Sequence, residues 1–398
     1  GASQTGFGRT GTVDWDTTKK TTSFTAVSGT GYFVDTSGGA VTATLPASPS
    51  AGDIVGFNDY ARTFATNNLT VARNGSNIQG SATDGIISTN GQSTTFVYVD
   101  STQGWMPTED QTTGDYGALY VTATGGTITT CGNFKIHTFT GPGTFTVCSV
   151  GNPAGSDSVD YLVVAGGGGG GTDQGGGAGA GGYRESSGAA SGCYSRSPLG
   201  ACVSALPVSA QGYPITVGSG GTGASLSPAL ATQGGNSIFS TITSTGGGTG
   251  GTYPTSPSGN LNGGPGGSGG GGGGGCTVSS GGTGNTPPVS PPQGTNGAAT
   301  PAGPAYFGAS GGGATGAGAT NCTGGTGATS LITGSSVNRA GGGGGRGTPS
   351  PAGVPYGGGA FSAPTSTSSN GTVNTGGGAG AAGAGSPSDP GGNGGSGL

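Results

Sequence analysis

Apolar and polar residues alternate along the first part of the chain in short runs, each cut off by glycine, proline or asparagine. In "GYFVDTSGGAVTATLPASPSAGDIVGFNDYA" (31–61), Val41, Ala43 and Leu45 share one side of an extended strand, and Thr42 and Thr44 take the other. The segments "NNLTVARNGSNIQG" and "STTFVYVD" repeat the pattern, and Asn74-Gly75 and Asn90-Gly91 tolerate the positive φ that tight turns need. No window keeps a 3.6-residue period without a breaker, so strands are predicted here and essentially no helix.

The alternation ends in "VDYLVVAGGGGGG" (159–171), where a strand runs into residues without side chains. Glycine runs then recur at 166–171, 175–182, 246–251, 263–275, 308–318, 341–347 and 376–385. The plain reading is a flexible linker, because Gly, Pro and Ser in excess without a collagen period mark low complexity. Two features oppose it. Strand-like segments, 213–217 and 237–243, keep interrupting the runs, and few charged residues follow Val159, whereas disordered chains are rich in charge.

Energetics narrows the form an ordered tract can take. Fixing the run 269–275 costs on the order of 10 kcal/mol of backbone entropy, with no side chain to offset it. An isolated extended threefold helix has no internal hydrogen bonds, so its N–H and C=O groups need partners elsewhere. Several such helices side by side can satisfy one another in three directions. A bundle of about a dozen polyglycine II helices, each ~20–30 Å long at ~3.1 Å per residue, is therefore predicted. Collagen is rejected because the runs hold no Gly-X-Y register and almost no proline. The fold class that follows is all-β plus polyglycine II: a β-sandwich or prism-like module over 1–113, strands of entry over 114–165, and a glycine-rich array with projecting loops over 166–398.

Composition supports this division. Gly accounts for 101 of 398 residues and Pro for 24, while apolar residues reach only 29%, which excludes one large hydrophobic core. A net charge of −5 argues against nucleic acid and anionic membrane surfaces as partners. No apolar run approaches the ~20 residues that span a bilayer. Because the chain starts at Gly1, a fragment or a processed product is expected.

The residues also carry a resemblance. "WDTTKKTTSFTAVSGTGYFVDTSGGAVTATLPASPSAGDIVGFNDYARTFATNNLTVARNGSNIQG" followed by "FVYVDSTQGWMPTED" resembles a module of tail-fibre and related structural proteins of tailed phages, most closely over Pro46 to Asp53 and at Gly104-Trp105. "FKIHTFTGPGTFTV" leading into 159–171, "GGYR" (181–184) and "ITVGSGG" (215–221) are similar to a glycine-rich domain of phage tail and adhesin proteins. The resemblance implies a virion protein, extracellular in action, that trimerises and binds a bacterial surface receptor, either a glycan or an outer-membrane protein. It supplies no catalytic residues.

Candidate binding residues lie in the insertions between glycine runs, because an array without side chains cannot itself carry chemistry. Tyr183, Arg184, Tyr194 and Arg196 fall in 183–214, Tyr253 and Asn260 in 252–262, Tyr306 and Phe307 in 305–307, and Tyr356 and Phe361 in 354–361. Aromatic and arginine side chains on anchored loops give contact area at low entropy cost. The duller reading is that they cover the ends and seams of the array.

Catalysis finds little support. The one histidine, His137, sits in an alternating strand, and Asp14/Asp16 and Asp53/Asp59 read as solvated turns rather than acid–base pairs. No phosphate-loop or zinc spacing occurs, and no cofactor is expected. Six cysteines permit sequential pairing as 131–148, 193–202 and 276–322. Free thiols are the alternative for a protein folded in a reducing cytoplasm. A fibre tip or adhesin is the leading expectation. A self-assembling filament or sheath subunit comes second, and an ice-binding or mechanical role is disfavoured by the irregular Pro-rich insertions.

Overall fold

The computed structural model describes residues 13–108, 120–151, 155–188, 196–200, 203–225, 230–253, 260–275, 277–301, 307–347, 368–382 and 390–398. The chain forms two compact units, one of residues up to 122 with 149–157, the other of 123–148 with 158–398. Among the described residues there is no α-helix.

In the first unit the strands are β1 (Asp14–Lys20), β2 (Phe24–Thr25), β3 (Thr30–Val34), β4 (Val41–Thr44), β5 (Ile54–Asp59), β6 (Leu69–Ala72), β7 (Gly85–Ile87), β8 (Ser93–Asp100) and β9 (Gly104–Pro107). They form two sheets, β1-β3-β5-β8-β9 and β2-β4-β6-β7. The first six strands alternate between the sheets and pair in parallel within each, so the chain winds like a short solenoid. It then reverses, and β7, β8 and β9 close the sheets in antiparallel pairs. The expected sandwich is present.

The apolar positions picked out by alternation fill its core. Val41, Ala43, Leu45, Leu69, Val71, Phe57, Phe96 and Trp105 are all buried in one cluster. Gly104 precedes Trp105 for a backbone reason: its φ is +70°, and a Cβ there would overlap the Asn77 carbonyl. That carbonyl accepts the Trp105 N–H at 2.8 Å, which sets the indole into the core.

In the second unit the strands are β10 (Thr122–Thr124), β11 (Thr127–Cys131), β12 (Phe134–Thr138), β13 (Gly143–Ser149), β14 (Ser158–Val159), β15 (Leu162–Val164), β16 (Tyr183–Glu185), β17 (Leu206–Pro207), β18 (Gly212–Thr216), β19 (Ser237–Phe239), β20 (Ile242–Ser244), β21 (Ala328–Ser330) and β22 (Val337–Arg339). One five-stranded sheet, β10-β13-β18-β19-β20, is accompanied by the pairs β11-β12, β14-β17, β15-β16 and β21-β22. Phe145, Tyr213, Phe239 and His137 pack edge to face or tilted on the larger sheet, with centroids 5.1–6.5 Å apart.

The glycine runs leave and re-enter this β layer as an array. Along 166–171, successive N–H groups donate to three neighbours in turn. Gly166 and Gly169 bond the carbonyls of Gly235 and Thr232, Gly167 and Gly170 those of Gly395 and Gly392, and Gly168 and Gly171 those of Gly179 and Gly176. The carbonyls of the same run accept with the same period, from Gly247 and Gly250, from Gly221 and Ala224, and from Ala379 and Ala382. A bond to the same neighbour every third residue is the signature of a threefold helix. Donation goes to three antiparallel runs and acceptance comes from three parallel ones, so run 166–171 is enclosed by six others. The predicted polyglycine II array is present.

Its course differs from the expectation in detail. The tract 263–275 is two runs, because the chain bends at 266–268 and Gly270 N–H bonds Gly264 C=O at 2.9 Å. The tract 308–318 likewise bends at 314–316, with Gly313 N–H on Gly316 C=O. Further runs at 218–224, 230–235, 277–284, 293–300, 323–327 and 391–398 carry Ser, Thr, Asn and Ala among their glycines. They lie toward the rim, where only inward positions must be bare.

Candidate functional site

The array has two unlike ends, and the expected binding residues divide between them. At one end β15 feeds run 166–171, β16 receives 175–182, β18 feeds 218–224, β20 feeds 246–251 and β22 feeds 341–347. At the other end the described chain reverses at 172–174 and 320–323, and its paired runs break off at 225 and 230, 253 and 260, 275 and 277, 301 and 307, 347 and 368, and 382 and 390.

Tyr253, Asn260 and Phe307 are brought together at this second end. Tyr253 and Leu261 lie over Gly275, where a Cβ would meet Leu261 at 3.4 Å and Tyr253 at 3.7 Å. Phe307 lies beside the same run, its carbonyl 2.8 Å from where a Cβ of Gly274 would stand. Asn260 is exposed, and its backbone carbonyl accepts the Thr252 N–H at 2.8 Å. Two charged residues join them. Burial pushes the Arg346 guanidinium below its ordinary range, and the Asp173 carboxylate opposes that shift. Sequence reasoning missed Leu261, Asp173 and Arg346. The available signal was charge scarcity: residues 197–338 contain no Asp, Glu, Lys or Arg, so Asp173 and Arg346 stand out on either side.

Tyr183, Arg184 and Arg196 lie at the first end. Tyr183 does not project, contrary to expectation. It is 1% exposed, because β16 pairs with β15 and turns the ring into a cluster with Val164, Ala180, Ala314, Ala328 and Ala340. Arg184, on the opposite side of β16, is half-buried, and Arg196 is exposed and donates to the Ser187 carbonyl at 2.9 Å. Tyr194, Tyr306, Tyr356 and Phe361 lie outside the described residues.

A buried carboxylate organises the first end. Glu185 is 2% exposed and accepts from the Tyr183 hydroxyl at 3.1 Å, the Ser197 N–H at 2.9 Å, and the hydroxyls of Ser197 and Ser330. Burial first, and the Glu185 charge second, push the Tyr183 hydroxyl well above its usual range. Glu185 thereby ties β16, the insertion that follows it, and the β21-β22 hairpin to one point. Glu185→Gln places a donor among donors. It is expected to cost about 2 kcal/mol and to speed limited proteolysis between 186 and 203, with fragments read by mass spectrometry.

The cysteine pairings need correction. Cys131 and Cys148 are free and exposed. The hairpin expected to join them does not form, because β12 pairs with β11 while β13 joins the other sheet between β10 and β18. Cys322 is free and buried, donating to the Arg346 carbonyl at 3.1 Å, so it has no disulfide to Cys276. Cys193, Cys202 and Cys276 lie outside the described residues. Burial pushes the Cys322 thiol up to about 11, against the pull of Arg346. Since the thiolate is the reactive form, a maleimide at pH 7.5 is expected to label Cys131 and Cys148 in the folded protein and Cys322 only after denaturation, as mapped on peptides.

Among the described residues no three His, Cys, Asp or Glu side chains converge on a point where a metal could sit. The second end offers apolar area, hydrogen-bonding groups and one pair of opposite charges, a set suited to recognition. This is a glycine-rich β protein built on a polyglycine II array. Residues 138–398 match the glycine-rich domain family, and the chain belongs to it. No curated protein matches the chain.

Proposed function

We propose that the chain is part of a phage tail fibre or a related adhesin, and that the array end carrying Tyr253, Leu261 and Phe307 contacts a receptor on a bacterial surface. One observation carries this reading: the chain repeatedly reverses at that end, above a scaffold whose interior is glycine with a few small buried residues such as Ala178 and Ala379. A scaffold held by backbone bonds in six directions presents such groups without ordering cost on binding. The 183–214 insertion, anchored through Glu185, belongs to the opposite end and serves as a support. Trimerisation and a virion location follow from the resemblance of the N-terminal module and the glycine-rich segments to fibre proteins.

The test is binding of the labelled full chain to a panel of bacterial cells and a glycan array. Tyr253→Ala with Phe307→Ala is expected to lower binding at least tenfold, and Arg196→Ala to leave it unchanged. Equal binding by all three proteins, or binding to no cell and no glycan, counts against the reading. Light-scattering mass supports it if particles hold three chains at every concentration. Continuous growth into filaments would instead favour a sheath or filament subunit.

A further inference from the structure

The flank of the array poses a problem that its interior does not. Run 166–171 is enclosed, whereas a run at the rim turns some of its N–H groups away from every other run. A further polyglycine run would pair with them, much as a new strand pairs with an open sheet edge.

Asparagines stand at these places. Asn236 Oδ1 accepts from Gly246 N–H at 2.9 Å, Asn262 Oδ1 from Ser280 N–H at 2.9 Å, and Asn296 Oδ1 from Gly284 N–H at 2.8 Å. Asn370 Oδ1 accepts from Asn393 N–H at 2.8 Å, and Asn393 Oδ1 from Gly223 N–H at 2.9 Å. All five side chains belong to exposed residues, and each bond is as short as the backbone bonds inside the array. A hydroxyl does the same on another run, where exposed Thr232 Oγ1 accepts from Thr222 N–H at 2.8 Å.

An outward side chain has two effects at once. Its oxygen takes the N–H that another run's carbonyl would take, and its bulk occupies the place of that run's backbone. The interior shows how strict the second effect is, since a Cβ on Gly168 or Gly169 would overlap the carbonyl group of Gly248 or Thr222. Charge cannot substitute for it along 197–338, where no ionisable Asp, Glu, Lys or Arg exists to repel a second array.

We propose that Asn236, Asn262, Asn296, Asn370 and Asn393 are lattice terminators: they close a flank that would otherwise bind the polyglycine array of a second copy of this chain. The inference is independent of what the array's end recognises.

The test uses the full chain with Asn236→Gly, Asn296→Gly and Asn393→Gly, singly and combined. Amide exchange is followed by NMR at Gly246, Gly284 and Gly223, and light-scattering mass is followed against concentration beside the wild type. Each single change is expected to speed exchange at its own partner amide about tenfold. The combined variant is expected to gain mass with concentration beyond the wild type. Asn296→Leu keeps bulk without the acceptor, so it should speed exchange at Gly284 and add no association. Wild-type exchange at the three amides, or a folded combined variant whose mass follows the wild type at every concentration, overturns the proposal. If the combined variant does not fold, Asn296→Gly alone decides by the same two readouts.

Discussion

Gly168→Ala is expected to unfold the glycine-rich domain, while Gly141→Ala in the same unit should change its stability by no more than about 0.5 kcal/mol. An added methyl restricts the unfolded chain and stabilises by about 0.4–1 kcal/mol only where space and backbone conformation allow. Gly141 has that space, with nothing within 4 Å of a Cβ. At Gly168 the Cβ would overlap the carbonyl of Gly248 and stand 2.8 Å from that of Gly247. These are backbone atoms in a run bonded to its own neighbours, so no rotamer change relieves the overlap. Moving the run apart breaks the bonds from Gly247 N–H to Gly166 C=O and from Gly250 N–H to Gly169 C=O. The loss should exceed about 4 kcal/mol, beyond the usual range for one substitution. Calorimetric melting of the two variants checks it. A Gly168→Ala melting temperature near that of the wild type would mean that the array tolerates expansion. Ala178, Ala180, Ala309 and Ala379 are already buried within it, so the choice between Gly and Ala is made position by position.

How far this was legible in the sequence depends on what kind of residue does the work. Alternation located the sandwich core, since Val41, Ala43 and Leu45 act through side chains that pattern can reveal. It could not reveal the winding of β1 to β6, because parallel pairing across 16 residues, as between Asp14 and Thr30, leaves no local mark. Unsatisfied backbone groups were enough to infer the array from glycine runs alone. They were not enough to locate rim runs such as 277–284 or 293–300, where Thr, Ser and Asn dilute the glycine. There Asn-Gly at 296–297 and 393–394 marks the lattice edge, although the same pair at 74–75 makes a turn. Tyr253, Asn260 and Phe307, named from the sequence as candidates, share one end of the array, while the burial of Tyr183 depended on a strand pair that brings it back to Val164 after the reversal at 172–174. Choosing between the array's two ends required knowing the direction of every run, which no single stretch of sequence encodes.

Removing residues 391–398 should abolish the cooperative fold of the glycine-rich domain and leave the N-terminal sandwich intact. This run joins the domain's earliest elements: Leu398 and Val164 exchange both backbone bonds, at 2.9 and 3.0 Å, beside the start of the array. Gly391, Gly394 and Gly397 donate to Ala224, Gly221 and Gly218, and Gly392 and Gly395 accept from Gly170 and Gly167. Without it the enclosed run 166–171 becomes a rim run whose outward positions are all glycine, with no side chain to accept the freed N–H groups. Each lost bond is worth about 1 kcal/mol, and together they rival the ~5–15 kcal/mol that holds a domain. The sandwich core of Phe57, Phe96 and Trp105 draws nothing from this run. Hydrogen exchange read by mass spectrometry should therefore show 166–182 and 218–224 unprotected in the shortened chain and 54–107 protected as before. If 166–182 stays protected, the remaining neighbours suffice, and the array is held as a sum of local pairings rather than by closure of its last run on its first.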